Sequence, residues 1–309
     1  MLLFDDKFFL GETRSGFYIE SEMKRCWAVE LDVLAEVDRV CEEYGLKYNI
    51  MYGSLLGTVR HRGFVPWDDD IDICVLRQDY QRLMQVLPDE LPGGYVVNSV
   101  YTTDSLDQPI GSVINRANVT TNPIELAVSY GSPYVSGIDV FPFDYVPRDP
   151  EMSELQRSLY NVLYDAAQRF DDYSKTGEIE QYIPMIEELL AQPIDRSGNV
   201  RAQLWKYAEQ IASMFTEEES DLVTWMPTRV MAENPRVCRK EWFDGYVRMP
   251  FENFMAPVPI GYDSMLKAFY GDDYMVPRTG AAGHDYPYYK SQKKWMIEHG
   301  MVIPAGCND

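Results

Sequence analysis

The sequence predicts an α+β fold, a mixed sheet with flanking helices and an added helical subdomain. In the first 150 residues, segments of helical periodicity alternate with short segments of strand-like alternation. Residues 151–215 instead carry apolar residues at three- and four-residue spacing almost without interruption. We therefore predict a mixed-sheet core over residues 1–150, a helical subdomain over 151–235 and a C-terminal segment over 236–309 that completes the functional site of the core.

The core opens with a helix predicted over residues 20–44, because apolar residues recur there at helical spacing and Gly45 can end it. A short helix is predicted over residues 55–59, and another over 77–87 that ends at Pro88. The predicted strands are residues 46–52, 70–75, 95–101, 110–121 and 135–141.

The middle of the chain is predicted to be helical, with breaks at Gly177 and at residues 193–199. The run Thr216 to Glu219 has the spacing of a capping box. Near the C-terminus, Asp263 can cap a short helix that ends at Gly271.

Composition limits the possible ligands. The chain has 309 residues, 46% of them hydrophobic and 25% charged, as expected of a globular protein with a substantial core. Its net charge of −21 opposes binding to nucleic acid or to an anionic membrane. A phosphorylated ligand would therefore need local basic groups or a metal ion.

Cysteine usage and the N-terminus predict a cytoplasmic protein. The five cysteines have neither Cys-x-x-Cys pairs nor zinc spacing, which favours buried, reduced thiols. The first ten residues lack the pattern of a signal peptide, and no apolar run reaches the length of a membrane span.

The most informative stretch is residues 53–75, GSLLGTVRHRGFVPWDDDIDICV. From residue 70 onward polar and apolar residues alternate, so that Asp68, Asp70 and Asp72 share one strand face. Like charges on one face repel each other, and a divalent cation such as Mg²⁺ would compensate them. The alternative is a set of surface carboxylates at a turn before the strand.

The residues before these carboxylates suit an anionic ligand. The backbone amides of a Gly53-Ser54 turn can face an anion, and Arg60, His61 and Arg62 form a basic cluster. Solvent-exposed loop arginines are the alternative interpretation. Trp67 immediately precedes the carboxylates.

The stretch from Gly53 to Asp72 resembles the signature of the LicD family, GSLLGxxRHxGFxPWDDDxD, almost throughout. Weaker similarities follow in the order of the family at residues 137–144, 240–243, 251–252, 257–259 and 270–272. The resemblance implies a fold similar to the nucleotidyltransferases. It also implies transfer of phosphocholine, or a related phosphorylated group, from a cytidine diphosphate donor to a sugar hydroxyl of a surface glycan such as lipopolysaccharide or teichoic acid.

The resemblance also implies roles for individual residues. Asp70 and Asp72 would hold Mg²⁺ or Mn²⁺, and Asp139 on a neighbouring strand would be a third ligand or the base for the sugar hydroxyl. Asp68 and Trp67 would support the site. Asp144 follows Phe143 at the exit of the strand predicted over residues 135–141, and that position itself favours a supporting or capping role over a catalytic one. The residues expected to bind the donor are Gly53, Ser54, Arg60, His61 and His284.

Three questions stay open at this point. If the transferred group is choline, its quaternary ammonium needs aromatic faces, for which Trp67 and the tyrosines of residues 286–289 are candidates. A nucleotidyltransferase that uses a nucleoside triphosphate would employ the same carboxylates. A catalytically silent protein that binds a nucleotide or a choline-like ligand is the third possibility.

Overall fold

A computed structural model describes residues 1–104, 106, 108–279 and 286–304. The helices are α1 (Ser21–Tyr44), α2 (Tyr52–His61), α3 (Arg77–Glu90), α4 (Pro123–Ala127), α5 (Pro150–Gln168), α6 (Phe170–Thr176), α7 (Ile179–Leu190), α8 (Val200–Ala212), α9 (Thr228–Met231), α10 (Tyr262–Tyr270) and α11 (Lys290–Glu298). The strands are β1 (Glu12–Arg14), β2 (Phe17–Ile19), β3 (Asn49–Ile50), β4 (Asp72–Leu76), β5 (Val96–Asn98), β6 (Gly111–Ile114), β7 (Gly137–Pro147), β8 (Ser220–Thr224), β9 (Cys238–Arg239), β10 (Tyr246–Phe251) and β11 (Phe254–Pro259). No helix within these described ranges is long and apolar enough to cross a membrane.

The predicted α+β class with a mixed sheet is confirmed. The central sheet has the order β3-β4-β7-β6-β5, in which β4 and β7 run parallel and the other neighbours run antiparallel. The far end of β7 pairs with β8, which pairs with β9. Strands β10 and β11 form a separate hairpin.

Helix α1 confirms the helix predicted over residues 20–44. Its apolar side is buried, and the indole of Trp27 stacks on the ring of Phe64 with 4.3 Å between centroids. Gly45 ends the helix in the left-handed conformation, at φ 65°. This long helix packs the loop that contains Phe64 against the core.

Local alternation predicted the strands but not their lengths. The segment expected at 46–52 pairs only over Asn49–Ile50, and the one expected at 110–121 only over Gly111–Ile114. Strand β7 is longer than predicted and continues to Pro147, because β8, from a distant part of the chain, pairs with its second half. Where a strand ends therefore depends on its partner.

Two helix boundaries also differ from the prediction. Helix α2 begins at Tyr52, which has a φ of 47°, so Gly53 and Ser54 lie in the first helical turn and not in a turn before it. Pro88 does not end α3 but lies in its last turn. A proline is tolerated there because it removes only one helical hydrogen bond. Strand β4 begins at Asp72 and not at Asp70.

The buried apolar side chains form two clusters. The larger surrounds the central sheet and α1. The smaller joins helices α5 to α8 and includes Leu163, Ile186, Leu204 and Trp205. The predicted helical content of residues 151–215 is confirmed, and so is the capping box, in which the Thr216 amide donates to the Glu219 carboxylate at 2.9 Å. The division into three domains stays a prediction.

A buried ionic triad connects the two clusters. Arg77 at the start of α3 donates to both carboxylate oxygens of Asp144 on β7, at 2.5 and 2.8 Å, and also to Glu209 on α8. Burial raises the pKa of Asp144, and the Arg77 guanidinium opposes that rise. Asp144 lies inside β7 and not at its exit, and it supports the fold through Arg77.

We expect Arg77→Met to lower the free energy of unfolding by about 3–5 kcal/mol, because it leaves two buried carboxylates without their cation. Arg157→Met is the matched control, since the Arg157 side chain is 40% exposed and pairs with Glu154 one helical turn away. Urea unfolding followed by circular dichroism measures both variants. Equal midpoints for the two would contradict a structural role for the triad.

Candidate active site

A cavity of about 910 Å³ lies beside the first residue of β4. Its walls combine acids, arginines and aromatic rings from all three parts of the chain. The charged lining residues are Asp68, Asp70, Asp72, Asp273, Arg60, Arg236 and Arg278. The aromatic lining residues are Tyr52, Trp67, Phe141, Trp225, Tyr270 and Tyr274.

Two carboxylates meet across the parallel strand pair. Asp72 on β4 is directly opposite Asp139 on β7, and the Asp139 amide donates to the Ile71 carbonyl at 2.9 Å. Neighbouring strands are about 4.8 Å apart, and residues in register point to the same face. The predicted position of Asp139, on the strand beside the acidic one, is confirmed, and its chemical role stays a prediction.

The electrostatics of Asp72 reflect this crowding. Burial raises the pKa of Asp72 well above its usual value, and the negative charges of Asp70, Asp139 and Asp68 raise it further. Arg236 acts in the opposite direction. A cation close to these carboxylates would stabilise their charged forms.

Ser54 fixes the position of the acidic residues. Its hydroxyl accepts a hydrogen bond from the Asp72 amide at 2.9 Å and donates to the Asp70 carbonyl at 3.3 Å. The side chain is buried and does not line the cavity. The hydroxyl thus positions the backbone of residues 70 and 72, and its expected contact with the donor stays a prediction.

Gly53 lets a carboxylate approach the first turn of α2. A Cβ atom at Gly53 would lie 2.3 Å from Oδ2 of Asp68. The first amides of a helix lack partners within the helix and favour negative groups. Asp68 and the ligand cavity therefore share this helix N-terminus, where Gly53 lines the wall.

Asp69, the middle carboxylate of the motif, points away from its neighbours. It is fully buried and accepts a hydrogen bond from the Tyr288 amide at 2.5 Å. It thereby attaches the segment before α11 to the acidic loop. No role was predicted for Asp69, since alternation alone cannot identify a partner so far along the chain.

The residues of the basic cluster, Arg60 to Arg62, lie in different environments. The Arg60 guanidinium lines the cavity, donates to the Tyr274 carbonyl at 2.9 Å and lies over the Trp67 ring at 5.9 Å. His61 does not line the cavity. Burial and the charges of Arg60 and Arg14 lower its pKa to about 4, so it is neutral at physiological pH. His284, the other predicted histidine, lies outside the described residues.

The hairpin of β10 and β11 holds the signature loop. Glu252, between these strands, accepts from the Phe64 amide at 3.3 Å and pairs with Arg14. Its own amide donates to the Arg62 carbonyl at 2.8 Å. A Cβ atom at Gly63 would collide with the Glu252 carboxylate, which explains a glycine at this position. The hairpin is thus a support for the loop, remote in sequence.

Several cavity residues were not predicted. Arg236 precedes β9, and its guanidinium lies 5.4 Å from the Tyr52 ring, 5.3 Å from Phe269 and 5.7 Å from Tyr270. Trp225, immediately after β8, forms another wall. Tyr270 belongs to a block that resembles the family, but no periodicity or spacing indicated Arg236 or Trp225.

The predicted metal ligands are carboxylates at or just before the start of β4 and opposite it on β7. Among the described residues no three His, Cys, Asp or Glu side chains form a group that could hold a metal by themselves, so Asp70, Asp72 and Asp139 do not make a protein-only site. Magnesium commonly uses only one or two carboxylates together with substrate phosphates. Asp70 and Asp72, which both line the cavity, fit that kind of site.

Paired carboxylates on parallel neighbouring strands, next to the first turn of a helix, are the arrangement expected of a nucleotidyltransferase-like fold. Residues 45–148 match the family model described as LicD/FKTN/FKRP, nucleotidyltransferase domain. The chain is 25% identical over 252 residues to the lipopolysaccharide cholinephosphotransferase LicD of Haemophilus influenzae, which covers 80% of this chain and 89% of that protein. The protein described here is therefore similar to the LicD family, to the family model over residues 45–148 and to the Haemophilus influenzae relative over most of its length.

Two further relatives match shorter regions. An uncharacterized protein of Rickettsia prowazekii is 38% identical over 66 residues, 21% of this chain and 25% of that protein. An uncharacterized protein of Rickettsia typhi is 35% identical over 94 residues, 30% of each chain.

We expect Ser54→Ala to lower the free energy of unfolding by about 1–3 kcal/mol, because it leaves the buried Asp72 amide without an acceptor. Ser158→Ala is the control, since that residue is exposed on α5 and its hydroxyl donates to Glu154 at the surface. Thermal and urea denaturation of both variants measures the difference. A Ser54→Ala protein as stable as the control would show that the hydroxyl does not hold β4.

Proposed function

We propose that the protein is a metal-dependent phosphotransferase of the cytoplasm. It transfers phosphocholine from a cytidine diphosphate donor to a sugar hydroxyl of a cell-surface glycan. The observation that carries the proposal is that Asp72, which lies opposite Asp139 across the parallel strand pair, lines a cavity that also contains arginines and aromatic rings. The similarity to the lipopolysaccharide cholinephosphotransferase of Haemophilus influenzae supports the transferred group and the kind of acceptor.

Asp70 and Asp72 would hold the Mg²⁺ or Mn²⁺ ion. Both are carboxylates that line the cavity, and magnesium prefers carboxylate oxygens and keeps positions for phosphate oxygens. The ion would neutralise charge on the diphosphate and on the departing cytidine monophosphate. Ser54 keeps the two carboxylates in place through its bonds to the backbone of residues 70 and 72.

The arginines of the cavity supply the remaining positive charge. Arg60 is anchored through Tyr274, and Arg236 is held over three aromatic rings, so both guanidinium groups are already oriented. Each would donate to phosphate oxygens of the donor. In a protein of net charge −21 these local cations oppose the general repulsion of an anionic substrate.

Asp139 would accept the proton of the attacking sugar hydroxyl. The hydroxyl oxygen then forms a bond to the phosphorus atom that carries choline, and the bond from that phosphorus to the bridging oxygen breaks. Cytidine monophosphate leaves with the bonding electrons. As a further metal ligand Asp139 would remain ionised, and the proton would pass to solvent.

The family model, described as a nucleotidyltransferase domain, also supports a second candidate function. The same carboxylates could direct a hydroxyl to the α-phosphorus of a nucleoside triphosphate. Pyrophosphate would then be released in place of cytidine monophosphate.

With CDP-choline and Mg²⁺ we expect release of cytidine monophosphate, and we expect Asp70→Asn and Asp72→Asn each to slow it by roughly 100-fold or more, since each removes a charge that stabilises the transition state. Chromatography of the nucleotides measures the reaction with and without EDTA. Asp195→Asn is the control, because Asp195 lies in an exposed loop before α8.

Three results would contradict this assignment. Release that persists in EDTA would exclude the metal. Pyrophosphate formed from a nucleoside triphosphate would favour the second candidate function. Tight binding of CDP-choline without any turnover, with a sugar acceptor present, would favour a silent binding protein.

We expect Arg236→Met to raise the KM for CDP-choline roughly 10- to 100-fold, because the variant loses a charge-assisted contact to phosphate. Arg239→Met provides a matched control three residues away, because that side chain is 67% exposed, pairs with Glu241 and does not line the cavity. Steady-state kinetics on both variants measures the effect. An unchanged KM in Arg236→Met would remove Arg236 from the donor site.

A further inference from the structure

The aromatic walls of the cavity differ in whether a guanidinium covers them. Arg60 lies 5.9 Å from the Trp67 ring, and Arg236 lies within 6 Å of Tyr52 and Tyr270. By contrast, within the described part of the chain no arginine or lysine makes a ring contact of this kind with the lining residues Trp225, Phe141 or Tyr274. Of these three, Trp225 and Phe141 pack against each other. A cationic ligand would be repelled most strongly from the covered rings.

Trp225 and Phe141 form an ordered pair of rings. Their centroids are 5.0 Å apart and their planes cross at 88°, so the edge of one ring meets the face of the other. The Trp225 indole Nε1 donates to the Pro109 carbonyl at 3.1 Å, which fixes the ring. With its polar atom satisfied by the backbone, the indole has only its π surface to offer a ligand.

The pair lies close to the reacting groups. Phe141 follows Asp139 by two residues on β7, so both side chains project from the same face, about 7 Å apart along the strand. Both rings line the same cavity as Asp70 and Asp72. In phosphocholine only an ester oxygen and two methylenes separate phosphorus from the quaternary nitrogen, so the ammonium end stays near the carboxylates.

We propose that Trp225 and Phe141 form the subsite for the quaternary ammonium of the donor and thereby select choline. This inference rests on the proposed function and adds the residues that recognise the transferred group. A partly desolvated ammonium gains most from an indole face, and Trp225 is half-buried beside the buried Phe141.

The subsite replaces the aromatic candidates named from the sequence. Trp67 does line the cavity, but Arg60 covers its ring. The tyrosines at 286, 288 and 289 do not line the cavity. Tyr288 instead hydrogen-bonds to Ser136, and Tyr289 stacks on Tyr134.

The test compares CDP-choline with CDP-glycerol, which carries no positive charge, in the wild type and in Trp225→Leu. Isothermal titration measures the Kd of each donor, and nucleotide release measures kcat/KM. We expect Trp225→Leu to raise the Kd for CDP-choline about 5- to 30-fold, which corresponds to the loss of one cation–ring contact. The Kd for CDP-glycerol should change less than about 3-fold. Trp225→Phe keeps an aromatic face and should retain most of the affinity for CDP-choline.

Trp295→Leu is the matched control, because Trp295 is 48% exposed on α11, stacks on His299 and lies outside the cavity. Equal losses for both donors in Trp225→Leu would overturn the subsite and leave the phosphotransferase proposal standing. So would an unchanged affinity for CDP-choline in a folded Trp225→Leu protein. Wild-type protein that neither binds nor cleaves any cytidine diphosphate donor would overturn the proposed function and this subsite together.

Discussion

The structure depends on holding like charges close together. Asp72 and Asp139 are brought into register by the parallel pairing of β4 and β7, and the backbone of that pair cannot move them apart without breaking sheet hydrogen bonds. Burial and three neighbouring carboxylates raise the pKa of Asp72. Such a group stores unfavourable electrostatic energy that a bound cation and the cavity arginines can offset.

Contacts from remote parts of the chain maintain this arrangement. Glu252 in the β10–β11 hairpin binds the backbone on both sides of Gly63, and Asp69 holds the segment that leads to α11. The triad of Arg77, Asp144 and Glu209 attaches the helical cluster to β7. Glu252 and the triad thus hold elements that carry cavity residues, and Asp69 joins the segment before α11 to the loop that contains Asp68 and Asp70.

Acidic, basic and aromatic side chains occupy different walls of the cavity. Carboxylates lie on and beside β4, and guanidinium groups cover Trp67 and the rings around Tyr270. The pair of Trp225 and Phe141 forms an apolar part of the cavity wall near Asp139. A zwitterionic phosphorylated group beside a metal needs anionic, cationic and aromatic surfaces at short range, and this cavity supplies all three.

The sequence by itself determined the α+β class, the long helix α1, the helices of residues 151–215 and the motif from Gly53 to Asp72. These follow from local periodicity, from capping residues and from the near-complete resemblance to a family signature. It also put Asp139 on the strand next to the acidic one. The strand lengths predicted from the sequence were wrong, because the extent of a strand depends on a partner that can be far away in sequence.

Only the tertiary structure decided which side chains meet at the cavity. Arg236 and Trp225 come from irregular segments with no periodic signal, and they reach the motif because β8 and β9 extend the second half of β7. Likewise, the chemistry of Ser54 and Asp69 could not be read from residue type, since a hydroxyl or carboxylate serves a ligand or a backbone amide equally well. Which of the two it serves depends on long-range packing.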